Sequence, residues 1–226
     1  MGMRKQIMGI TIMLAVLLAS LNAWAVEALE GVYDCPRLGR LRIVVKDDAT
    51  YRIDRTEPEG EITSFIATGG RRWIVLEYYD GEWGLLDYDA LVKNDDAPDL
   101  SAAAAIMEGA NRTVAGFKGR VLRVGHSGQT DLEVVVTDDA DVVVVSEKLL
   151  DLLKNIGYDD ARLAVNVIAR QGEEQGRRLG LLQWSDANGY ACGYELKSLK
   201  RDDFPDIYFA LPVNVKMLTE RDLRVY

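Results

Sequence analysis

Trp73-Ile74-Val75-Leu76-Glu77-Tyr78-Tyr79, then Asp80-Gly81, then Glu82-Trp83-Gly84-Leu85-Leu86-Asp87-Tyr88 is the stretch that decides the fold. Two runs rich in aromatic and β-branched residues meet at an Asp-Gly step, which accepts the positive φ angles of a two-residue hairpin turn. Towards the N-terminus the same rhythm repeats. Gly69-Gly70 is a turn, and Ile62 to Ala67 a strand. Glu57-Pro58-Glu59-Gly60 is a turn, and Tyr51-Arg52-Ile53 a strand. Leu41, Ile43 and Val45 alternate with Arg42, Val44 and Lys46 until Lys46-Asp47-Asp48 stops the run. Short strands at this spacing predict an antiparallel meander.

Towards the C-terminus the reading mixes strands with helices. Asp99 is placed to cap a helix through Ser101, Ala102 to Ala105, Ile106 and Met107, with Gly109 closing it. Strands are expected at Thr113 to Gly116, Arg120 to Val124, Leu132 to Val136 and Val142 to Val145, the last two joined by Asp138-Asp139-Ala140-Asp141. Four valines without polar alternation predict a strand covered on both faces. A second helix is expected from Ser146 to Gly157, and a third from Asp159 or Asp160 to Gly172. Strands then close the chain at Leu179 to Trp184, Tyr190 to Leu199 and Ile207 to Leu211. The fold class is therefore α+β, a curved and half-open antiparallel sheet with helices packed over one face.

The N-terminus carries Arg4 and Lys5, an apolar segment from Ile7 to Leu21, and Ala23-Trp24-Ala25. That order is what a signal peptidase reads. The alternative, an uncleaved anchor, needs about 20 apolar residues, and this core is shorter. Residues 1–25 are expected to be a signal peptide and 26–226 a single domain, periplasmic and not membrane-spanning after processing. Removing Arg4 and Lys5 from 27 basic residues leaves 25 against 36 acidic ones, a net charge of −11. Such a balance disfavours nucleic acid and anionic lipid surfaces, which are bound through Lys and Arg clusters.

Cys35 and Cys192 are the two cysteines. In an oxidising compartment such a pair reads as a disulfide, with two separate buried thiols as the alternative. No cofactor is expected. The chain has one histidine, His126, in a Gly-flanked turn next to Ser127, and no Gly-x-Ser-x-Gly elbow. The acidic pairs Asp95-Asp96 and Asp202-Asp203, like Asp138 to Asp141, read as solvated turns because they lack the Gly and distant Glu of a calcium loop. No catalytic residue is assigned, and the chain is expected not to be an enzyme. Trp73, Trp83 and Trp184 fall on expected strands; they either pack the core or line an apolar cavity, with Leu150 on the helix that would cover it.

Several phrases resemble the periplasmic LolA/LolB-like lipoprotein-carrier superfamily, in particular its exported branch of domains of unknown function. They are Arg42 to Asp54, Ile62 to Ile66, Arg72 to Leu76, Thr113-Val114-Ala115-Gly116-Phe117-Lys118-Gly119, and Phe204-Pro205-Asp206-Ile207-Tyr208-Phe209-Ala210-Leu211-Pro212. The resemblance implies an incomplete barrel over helices and a cavity for a lipid or lipoprotein acyl chain. The cysteine pair and the acidic Asp95 to Asp99 segment depart from the carriers. Two functions follow: an extracytoplasmic, non-enzymatic protein that holds an apolar ligand, with Trp73, Trp83, Leu150 and Trp184 as its contacts, or an envelope protein-interaction module whose barrel is filled by its own side chains. N-terminal sequencing of protein recovered from the envelope is expected to start at Val26, and recovery with Met1 intact would refute the processing.

Overall fold

The alternation at Leu41, Ile43 and Val45 becomes a strand on which these three residues are buried in the core shared with the helices. The computed structural model describes residues 25–36, 39–57, 62–79, 81–92, 105–126, 129–156, 159–186, 193–219 and 222. The meander comprises β1 (Ala25–Cys35), β2 (Gly39–Asp47), β3 (Thr50–Thr56), β4 (Ile62–Thr68), β5 (Arg71–Tyr79) and β6 (Glu82–Asp87). A one-turn helix, α1 (Tyr88–Leu91), follows, capped by Asp87, whose carboxylate accepts a hydrogen bond from Ala90 N. Next come β7 (Ala105–Val114), β8 (Phe117–His126) and β9 (Gln129–Thr137), the helix pair α2 (Ala140–Ile156) and α3 (Asp159–Gln175), and β10 (Gly180–Asp186). The described chain ends with β11 (Glu195–Pro205), a 3-10 turn (Asp206–Phe209) and β12 (Lys216–Leu218).

Among the described residues the strands form one open, curved, 12-stranded sheet in the order β12-β6-β5-β4-β3-β2-β1-β11-β10-β9-β8-β7. Every pairing is antiparallel except that of β12 with β6. The helices cover one face. Tyr33, Ile43, Val145 and Leu149 meet there with no exposed surface. Gly31 is required at that contact, because a Cβ on it would stand 2.5 Å from Val145 Cγ1.

Two side chains from different elements hold the helix layer to the sheet. Tyr33 Oη donates to the Leu181 carbonyl at 2.8 Å, and Leu181 N donates to Ser146 Oγ at 2.7 Å, all buried. Burial pushes the Tyr33 phenol well above its ordinary value, so it remains a donor.

The α+β reading holds, but several elements differ. The four valines belong to α2, which begins at Ala140 rather than Ser146. Asp139 caps it: its carbonyl accepts from Val143 N, and its Oδ1 accepts from Asp141 N and Val142 N at 3.1 Å each. The acidic run is thus a helix start, where orphan N–H groups and the dipole favour carboxylates. Val142, Val143 and Val145 are buried because α2 packs against β1, β2 and β10 and against α3, which itself rests on β9 and β10. Ala105 to Gly109, expected in a helix, lie in β7, where Ala105 to Glu108 pair with β8 and Gly109 falls in an irregularity of the register. Tertiary pairing outweighs the helix propensity of alanine there. α3 runs past Gly172 to Gln175, and Gly176, at φ 63°, ends it. Ile207 to Leu211 is a 3-10 turn and an extended segment instead of a strand, and Asp202-Asp203 sit within β11. Asp95-Asp96, the Asp99 cap, Tyr190 and Cys192 lie outside the described residues; Cys35 is buried at the end of β1. No helix among the described residues is long and apolar enough to cross a membrane.

Ser146→Ala should lower unfolding stability by about 1–3 kcal/mol, because it leaves the buried Leu181 N–H without an acceptor. Chemical denaturation, with exposed Lys154→Ala as a near-neutral control, measures the difference.

Candidate functional site

The face opposite the helices is covered only in part, and by the chain's own C-terminal segment. Phe204, Phe209 and Tyr208 pack with Ala28 and Val44, while Leu211 and Val215 pack over Ile66, Trp73, Val75 and Leu85. Leu218 then sits against Gly84, where an added Cβ would stand 2.5 Å from its side chain. Residues 206–218 therefore form a strap across β2–β6. Asn214, at φ 60°, turns it, a conformation that Asn tolerates better than most residues.

A polar network fixes the strap at one end. Tyr208 Oη donates to Asp54 Oδ2 at 2.6 Å, and Arg52 Nη1 donates to the Tyr208 carbonyl at 3.1 Å. Arg52 and Ser64 both bind Asp54 Oδ1, at 2.7 and 2.6 Å. The Arg52 guanidinium lies 4.8 Å from the centre of the Tyr208 ring. Burial and the hydrogen bond to Asp54 keep the Tyr208 phenol protonated. Beneath it, Arg42 pairs with the buried carboxylate of Glu30, and Lys200 lies 3.1 Å from Glu30 Oε2. Burial alone would raise the Glu30 pKa, but Arg42 and Lys200 hold it below its ordinary value.

Between the strap and β4–β6 runs a groove of about 1110 Å³, lined by Ile66, Val75, Trp83, Ile207, Leu211 and Val213 among others. Large apolar side chains stand exposed around it: Trp83 at 40%, Ile207 at 80% and Val213 at 82%. Burying such a side chain is worth about 1.5–3 kcal/mol, and exposed patches of this kind mark interaction surfaces.

The four residues read as ligand contacts do not line one cavity. Trp73 and Trp83 both point away from the helices: Ile74 packs into the helix-side core, and Trp73 and Val75 belong to the opposite cluster. Trp73 is buried, whereas Trp83 lines the groove. Trp184 lies in the helix-side core beside Val134, its Nε1 without a hydrogen-bond partner among the described residues. Leu150 lines a different cleft, with Val165 and Ile168, on the helix pair. The cavity expected between the sheet and α2 is instead occupied by fully buried side chains, among them Leu122, Leu149 and Leu181.

Strap residues Ile207, Leu211, Val213 and Val215 went unread as site residues, although Pro205 and Pro212, on either side of Ile207 and Leu211, mark that stretch as non-strand. A second cleft of about 680 Å³ lies near Cys35 and Trp184, but its rim is occupied by the ion pairs Arg40–Asp34 and Lys197–Glu195. Among the described residues no group of three or more His, Cys, Asp or Glu side chains converges to hold a metal ion.

No family model and no curated protein matches the chain. The chain is similar in structure to a solved structure described as MucB in complex with MucA(peri), at 13% identity and a TM-score of 0.33, covering 85% of this chain and 57% of that one. A second, of the Pseudomonas aeruginosa MucA/MucB complex, is similar at 14% identity and a TM-score of 0.32, covering 85% and 58%. The chain thus spans little more than half the length of these structures. A likeness of this size leaves function to be read from the chain's own side chains.

Glu30 generates a pH prediction. Its folded pKa lies below the unfolded one, so its contribution to stability is present above the unfolded value and disappears as pH falls through the folded value. Unfolding free energy should therefore decline below about pH 5, near the reference carboxylate range. Glu30→Gln should flatten that part of the profile, as measured by urea titrations at stepped pH.

Proposed function

We propose that the chain is an exported, non-enzymatic binding module of a cell envelope, and that its groove takes an apolar segment of a partner protein. One observation carries this reading: Trp83, Ile207 and Val213, three large apolar side chains left exposed, all line the same groove. The helix side is filled by the chain's own residues, which favours the interaction module over a carrier with an internal cavity. An acyl chain laid in an open groove would keep part of its length in water and lose much of the roughly 0.8 kcal/mol per buried methylene that drives its binding. A polypeptide can instead use both the apolar floor and the polar lining residues Arg52, Thr63 and Glu77. A tryptophan and an arginine in the lining of one groove are also the composition typical of energetically dominant protein contacts. Export rests on the Arg4-Lys5, apolar, Ala23-Trp24-Ala25 order at the N-terminus.

A photo-reactive benzoylphenylalanine at Val213, irradiated in cells that naturally make the chain, tests the reading. A discrete protein adduct is expected, reduced at least about tenfold by Trp83→Ser through loss of a central aromatic contact. The same probe at Lys154, outside the groove, should give none. Lipid adducts alone would favour the carrier, and equal protein labelling from both positions would refute the groove.

A further inference from the structure

The mouth of the groove pairs an acid with an aromatic ring. Glu77 on β5 lies directly opposite Trp83 on β6 in the antiparallel register, and both side chains line the groove. Glu77 Oε1 accepts a hydrogen bond from Gly81 N at 2.6 Å, which fixes the carboxylate beside the hairpin turn. Among the described residues Glu77 forms no ion pair.

The cations near the strap are already matched. Arg52 binds Asp54, Lys46 binds Asp206 and Lys216 binds Asp222. The carboxylate at the groove mouth therefore meets no cation from the groove's own lining, in a chain whose 36 acidic residues outnumber its 27 basic ones. A carboxylate next to an exposed indole face suits an ammonium or guanidinium, which gains a charge-assisted hydrogen bond from one and a cation–π contact from the other.

We propose that the Glu77–Trp83 pair receives an arginine or lysine side chain that the partner segment carries within one or two residues of its apolar anchor. This rests on the groove reading and adds the partner's charge to it. The apolar residues would lie over Ile66, Val75 and Leu211, and the cation would project to the mouth. The net-negative surface would draw such a segment in and repel an acidic one.

A random dodecamer library displayed on phage and selected on the purified chain tests the proposal. Enriched sequences should carry Arg or Lys next to a pair of apolar residues. Made synthetically and labelled, the two strongest should bind the unmodified chain about tenfold more tightly than their citrulline twins, the discrimination expected of a partly desolvated cation site. That preference should shrink to within about twofold for Glu77→Gln, whose amide oxygen can still accept from Gly81 N, and weaken for Trp83→Leu, which keeps an apolar surface without the π face. Equal binding of the arginine and citrulline peptides, or enrichment of apolar sequences without a cation, would overturn the cation site and leave the groove standing. If no sequence is enriched, or if Val213→Asp leaves binding unchanged, the groove reading itself falls.

Discussion

Leu181 sets the constraint on which the rest of the structure depends. Its strand pairs with β9 along most of its length, but reaches β11 only at Gln183 and Glu195. The N–H and C=O of Leu181 are buried, and unpaired they would cost several kcal/mol. Ser146 supplies the acceptor and Tyr33 the donor. One residue of β10 is thereby tied both to α2 and to the central strand β1. The sheet can then stay open beside β10 without orphaned backbone, and the helix layer is held in place by hydrogen bonds as well as by apolar contact.

With the helices committed to one face, the other has only the strap to cover it. The strap seals the sheet where Phe204, Phe209, Leu211 and Val215 reach down, and leaves it open beside Trp83. Its attachment is uneven in kind. At Tyr208 it is held by charged and hydrogen-bonded groups packed around a ring, and at β12 by a three-residue parallel pairing and one leucine against Gly84. The groove lies between these two attachments. Its apolar floor is therefore a by-product of how the strap crosses the sheet, and of the two charged residues in its lining Arg52 is bound to Asp54 while Glu77 has no cation beside it among the described residues.

Much of the sheet was legible because a strand period of two leaves a plain trace when one face is buried: Leu41, Ile43 and Val45 are the example. The turns were legible from Gly, which supplies the positive φ found at Gly69, Gly70 and Gly81. Val142 to Val145 misled because a continuous apolar run is equally consistent with a strand or a buried helix. The Asp139 cap just before it would have separated the two. The aromatics misled differently. Trp73, Trp83 and Trp184 all fall on strands as read, but which face a residue occupies depends on the register, and Trp184 ends up on the face opposite to the other two.

The α+β class, the hairpin-rich first half, the two helices after β9 and the acidic charge balance could be read from the sequence without the structure. These follow from local periodicity, turn chemistry and charge, which act between near neighbours in the chain. Only the tertiary structure decided that β1 sits beside β11 at the centre of the sheet, that the helix side is filled, and that Trp83 meets Ile207 and Val213 across a groove. Those outcomes depend on contacts between residues more than a hundred positions apart, such as Tyr33 with Leu181. Their geometry is set by how the elements pack, and no local pattern encodes it.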